Sequence, residues 1–188
     1  MKKKDIEREK KLFRDNNRFA NNGQKIVTAS NGHMRFYGNL NRKQEIKDYW
    51  SNQVNALVEK YQTSHPLGTF LADAEQLERD MNVRFQDCFA RGRFFYYDAI
   101  RSLSAAIKYR WCIDTQYPEP SFCPISGRLL RFIKHSSRYN TVAQMTKDEI
   151  QSIYHDFLSI AKDSEEKSIA KWELVVFNHI PKDKRNEK

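Results

Sequence analysis

An all-α domain of about six to seven helices with one N-terminal β-hairpin is the fold that the sequence predicts. Five stretches repeat apolar residues at a three-to-four spacing, the period of one helix face. Only Asn31-Gly32, between Lys25–Ser30 and His33–Gly38, has the chemistry of a two-residue type I′ hairpin turn. The mean hydropathy is −0.82, yet 13% of the residues are aromatic, which supplies far more packing material than a disordered chain carries.

The elements follow in order. Residues 1–19 are good helix formers with only Ile6, Leu12, Phe13 and Phe19 as apolar positions, so they read as a solvated helical arm in need of a partner surface. Asn21, Asn22 and Gly23 end that arm. In the hairpin, pairing Ser30 with His33 sets Val27 opposite Phe36 on one face and Thr28 opposite Arg35 on the other. A two-stranded ribbon is barely stable alone, so the Val27/Phe36 face is expected to dock on helices. Asn41 with Gln44 opens a helix carrying Ile46, Trp50, Val54, Leu57 and Tyr61 on one face, and His65-Pro66-Leu67-Gly68 breaks it. A helix from Thr69 carries Leu71, Ala74, Leu77, Met81, Phe85 and Cys88 as its core stripe, with Gly92 as a kink or turn. The next is expected over Arg93 to Ile113, ahead of a loop with Pro118 and Pro120. Thr146 with Glu149 forms a capping box opening a helix through Ile153, Phe157 and Ile160. Asp163 with Glu166 is expected to open the last, with Ile169, Trp172 and Val176. The division is an arm over 1–22, a helical domain over 23–180 containing the hairpin at 25–38, and a polar tail over 181–188.

Charge directs the functional reading. Thirty-three Lys and Arg against twenty-four Asp and Glu leave +9, a balance that favours nucleic acid or an anionic surface as partner. The charge is also sorted. Residues 1–47 hold thirteen basic and five acidic side chains, 48–80 two and six, 81–147 eleven and four, and 148–180 three and seven. Such sorting arises either because acidic helices pair with basic ones inside the fold or because one face is basic and another acidic.

The stretch from Ser121 to Lys147 contains no acidic residue in twenty-seven positions. Within it Arg128, Arg131, His135 and Arg138 stand at i, i+3, i+7 and i+10, one stripe of an α-helix, with Lys134 beside them and Leu129, Leu130, Phe132 and Ile133 mostly on the other side. Each guanidinium can fork to a phosphate, so these residues are the first candidate contacts with DNA or RNA. The bland alternative is a solvated helix face. A second group, Arg91, Arg93 and Arg101 with Lys108 and Arg110, is interleaved with Phe94, Phe95, Tyr96 and Tyr97. Spacing sends Phe94 and Tyr97 inward, leaving Tyr96 and Phe95 as candidate stackers for unpaired bases. Lys2 to Arg18 would add a non-specific clamp, and the outer face of the hairpin, with Arg35 and Tyr37, a ribbon for a groove.

Catalytic signatures are weak. The Arg128 to His135 spacing resembles that of the HEPN ribonucleases, an all-helical family in which two such motifs meet across a dimer. The resemblance implies Arg128 on the scissile phosphate and His135 moving a proton, although Leu129 stands where the family has a polar residue. His135-Ser136-Ser137-Arg138 resembles the His-x-x-Arg element of tyrosine recombinases, but Ser164 stands about nine residues beyond His155, where the nucleophilic tyrosine would be needed. Asp73, Glu75, Glu78 and Asp80 have no histidine beside them and read as a solvated acidic face. With six glycines and no Gly-Lys-Ser or Gly-Lys-Thr, a phosphate loop has no support. Three cysteines at spacings unlike any CxxC pair argue against a disulfide framework or zinc site. No run of eighteen apolar residues is long enough to cross a membrane, and the charged start lacks a signal-peptide core. The sequence therefore predicts a cytoplasmic, non-enzymatic nucleic-acid-binding accessory or regulatory protein without cofactor or metal, a possible homo-oligomer. The competing reading is a protein-protein assembly module of a larger complex, using the acidic side with Glu165, Glu166 and Glu173.

Overall fold

The computed structural model describes residues 5–16, 41–89, 92–133 and 145–180. These residues are mainly helical: α1 Ile6–Asn16, α2 Lys43–Lys60, α3 Leu67–Phe85, a 3-10 turn Gln86–Cys88, α4 Tyr96–Ile113, α5 Gly127–Phe132, α6 Lys147–Asp163 and α7 Ile169–His179. The hairpin expected at 25–38 and the tail at 181–188 lie outside the described residues. Among the described helices none is long and apolar enough to cross a membrane.

The centre of the fold is α4, which follows from its sequence: Ala99, Ile100, Leu103, Ala106 and Ile107 spread around so much of the helix that it is buried on several sides. It packs against α3, α2 and α1, while α7 packs against α1, α6 and α5. Trp50 of α2 meets Phe94 edge-on at 5.0 Å, and Phe70 of α3 stacks on Phe122 at 3.7 Å. Most of the predicted stripe positions are in this core, with shifts of one residue where the helical phase differs. Phe70 is fully buried where Leu71 is only partly so, and Ile160 is exposed because Ala161 continues the face of Ile150, Ile153 and Phe157.

Helix boundaries moved for identifiable reasons. The break comes before Pro66, not after it, and α3 starts at Leu67 because Pro66, with φ −70° and ψ 159°, serves as its N-cap. The expected start of α4 at Arg93 is pre-empted by Asn82. Its side chain accepts from Phe94 N at 2.7 Å and donates to Phe94 O at 2.8 Å, which holds Phe94 out of the helix. Gly92, at φ +73°, makes the turn into this segment, and Asp98 then caps Phe95 N. The Thr146/Glu149 capping box forms as expected. The last helix is not opened by Asp163. Ser168 is its N-cap, accepting from Lys171 N at 3.4 Å, because Lys167 adopts φ +53° and delays the start.

The basic arm finds its partner surface. Phe13 of α1 is buried between Tyr109 of α4 and Phe177 of α7, with ring centroids at 5.0 and 5.9 Å. Glu9 accepts from Asn178 Nδ2 at 2.9 Å and from His179 Nε2 at 3.0 Å, and Arg14 donates to the carbonyl of Cys112. Lys10 lies 4.6 Å from the Trp111 ring. Lys10 and Arg14, counted in the sequence reading as part of a clamp, are thus engaged in docking α1.

Candidate nucleic-acid interface

The segment from Asp114 to Ser126 has no helix, yet Phe122, Cys123 and Ile125 are buried. Buried loop backbone needs partners; two tyrosines supply them, and a third, Tyr117 of the loop itself, ties the segment to α2. Tyr117 donates to Val58 O at 2.8 Å, Tyr97 to Ile125 O at 2.9 Å and Tyr154 to Cys123 O at 2.8 Å. Burial raises the pKa of all three phenols, that of Tyr97 to about 12, so the donors stay protonated throughout the physiological range. This tethered loop sets the position of α5. Ser126 caps α5 by accepting from Leu129 N at 3.1 Å.

On α5 the side chains divide sharply. Leu129 and Leu130 are buried, whereas Arg131 is exposed and Phe132 is 53% exposed. The apolar back and outward guanidinium match the sequence reading, but Phe132 does not, since the spacing had put it with the leucines. The helix is also shorter than the stripe requires. It ends at Phe132 with Ile133 as its C-cap, so of the predicted stripe only positions 128 and 131 fall on this helix. Lys134, His135, Arg138 and Arg91, together with the side chain of Arg128, lie outside the described residues.

The second predicted group divides between surface and core. Arg93 is exposed but pairs with the buried carboxylate of Glu78 at 2.7 Å, and its guanidinium carbon lies 5.2 Å from the Phe95 ring. Tyr96 is buried and donates to Leu71 O at 3.2 Å, so it is no stacker. Lys108 is 5% exposed, with its Nζ 2.6 Å from Glu173 Oε2 and over the rings of Phe13 and Phe177 at 4.5 and 4.2 Å. Glu173, expected on an acidic assembly face, is 1% exposed. Burial lifts its carboxyl above the usual range, with Lys108 opposing that rise. Arg110 lies 3.3 Å from Asp114. Arg101 is half-buried and lines a recess of about 210 Å³ between α1, α4 and α7, together with Phe13, Tyr109, Ser126 and Phe177.

The predicted acidic face of α3 is likewise a set of ties. Asp73 binds Lys60 at 2.8 Å and Tyr61 at 2.9 Å, Glu75 binds both Arg79 at 2.7 Å and Lys147 at 2.8 Å, and Glu78 binds Arg93. Lys147, a cation of the acid-free stretch, is therefore neutralised from α3. Much of the sorted charge pairs across the fold. The exposed guanidinium of Arg131 sits within a sequence stretch that has no acid of its own. Cys88, Cys112 and Cys123 are buried free thiols, and the described residues hold no group of three or more His, Cys, Asp or Glu able to bind a metal.

Comparison with known protein families, curated proteins and solved structures returns no match.

Proposed function

We propose that the protein binds nucleic acid non-enzymatically, contacting phosphates through Arg131 and its basic neighbours at the end of α5. The observation that carries this reading is the pairing of exposed Arg131 with exposed Phe132 on a helix anchored by Leu129 and Leu130. A guanidinium engages phosphate through fixed, forked N–H donors, and a ring beside it gives an unpaired base a surface on which to stack. Lys134, His135 and Arg138 follow directly in the acid-free sequence and extend the positive charge. Phosphate contacts set affinity and its salt dependence rather than sequence preference, so the role is that of an accessory or regulatory factor acting on a polymer chosen by another component.

The decisive titration uses labelled single-stranded RNA, single-stranded DNA and duplex DNA at two salt concentrations, with Arg131→Ala/Arg138→Ala and Phe132→Ala variants. Salt-steep binding weakened by the arginine variant is expected. Loss on Phe132→Ala of about 1 to 3 kcal/mol for single strands alone assigns the ring to stacking. Binding indifferent to both arginines overturns the reading and leaves the assembly module ahead.

A further inference from the structure

The recess between α1, α4 and α7 has features that a mere packing fault would lack. Phe13, Tyr109 and Phe177 supply aromatic walls, and Pro124 and Ile125 of the tethered loop supply another. Its volume of about 210 Å³ exceeds the ~150 Å³ of an engineered cavity that admits benzene, so a single substituted ring fits.

The polar groups on the wall are few and differ in their commitments. Lys108 and Glu173 are both buried and close on each other at 2.6 Å, a neutral unit with no net preference for an anion or a cation. Arg101 differs, since among the described residues no ion pair ties it to a carboxylate. Ser126 accepts from Leu129 N, which leaves the proton of its hydroxyl to donate elsewhere. The wall thus combines an aromatic body site with the Arg101 guanidinium, unpaired among the described residues, and a hydroxyl donor, and its net charge is +1, from Lys108 and Arg101 against Glu173.

We infer that this recess is a binding site for a small aromatic monoanion, the ring lying among Phe13, Tyr109 and Phe177 and the carboxylate meeting Arg101 and Ser126. A guanidinium-carboxylate contact at the half-buried Arg101 discriminates against a neutral ligand of the same shape, because the neutral ligand leaves the charged group without its partner. Ser126 also caps α5, so occupancy of the recess bears directly on the root of the helix that carries Arg131. The binding claim itself is independent of the nucleic-acid reading.

The test titrates benzoate and benzyl alcohol into the full-length protein, reading chemical shifts of aromatic resonances and the Kd by calorimetry. Two variants accompany it: Ala105→Phe, which fills the recess from α4, and Arg101→Met, which keeps the stem and removes the charge. Unliganded thermal melts establish that each variant is folded. Saturable benzoate binding at least about tenfold tighter than benzyl alcohol is expected. Arg101→Met should abolish that preference, and Ala105→Phe should abolish binding of both ligands. Absence of saturable binding, equal affinity for the two ligands, or benzoate binding unchanged in Ala105→Phe would overturn the assignment. If Ala105→Phe fails to fold, Arg101→Met decides alone, since retention of the benzoate preference without the guanidinium excludes the site.

Discussion

Lys108 and Arg131 are both cations on helices with aromatic neighbours, and they do opposite things. Lys108 lies between Phe13 and Phe177 and against Glu173, sixty-five residues away in sequence, and is 5% exposed. Arg131 stands at the end of a six-residue helix with its side chain in solvent. The difference lies in their surroundings. A long basic side chain goes inward where its stem meets rings and its head meets a carboxylate, because an isolated buried charge costs several kcal/mol. On a short surface helix such as α5, the side chain stays outward.

The largest expected effect comes from removing the head of Lys108. Lys108→Met leaves Glu173 buried without its partner, and denaturant unfolding should show a loss of about 3 to 5 kcal/mol. Lys108→Met/Glu173→Leu should recover most of it, since an apolar pair of similar volume carries no desolvation cost. A double variant no more stable than Lys108→Met would show that the pair is not the reason for the burial.

The same pair gives a pH dependence of definite sign. A carboxyl whose folded pKa lies above its unfolded value holds a proton more readily in the native state. The stabilising contribution of Glu173 is then fully present below its ordinary value of 4.5 and is lost as pH rises through the raised folded pKa. Glu45 and Glu75, lowered chiefly by side-chain hydrogen bonds from Arg42 and Lys147, act in the opposite sense below 4.5 and are exposed enough to be weak. Unfolding free energy measured above about pH 4.5 should therefore fall with pH, by no more than about 1.4 kcal/mol per unit, and the slope should vanish in the double variant.

Two smaller effects bracket the surface. Thr146→Ala removes the cap of α6 and should cost about 1 kcal/mol by thermal or chemical denaturation. Arg131→Ala should change stability by less than about 0.5 kcal/mol, since an exposed side chain on a short helix has little packing to lose. A loss beyond 1 kcal/mol would mean that Arg131 has a structural role instead.

The same contrast explains what was legible in the sequence. Periodicity located Ile46, Trp50, Val54, Leu77, Met81, Ile100 and Ile107 in the core, and the Thr146/Glu149 box was readable because both partners lie within one turn. The start of α4 was not, because Asn82, twelve residues upstream, holds Phe94 out of the helix. The burial of Lys108 and Glu173 had no local signal, as each needs the other and α1 besides. Arg131 is outward, as the spacing of the basic stripe implied. Phe132 was missed because periodicity assigned it to an apolar side that a helix ending at Phe132 does not continue.

The most direct measurement is the dependence of nucleic-acid affinity on salt in three proteins: wild type, Arg131→Ala and Lys108→Met/Glu173→Leu. Each phosphate contact contributes roughly one to the slope of log K against log salt concentration. The account predicts a slope shallower by about 1 for Arg131→Ala and unchanged for the buried-pair variant. A slope unaltered by loss of Arg131, or no binding by the wild type at low salt, would contradict it.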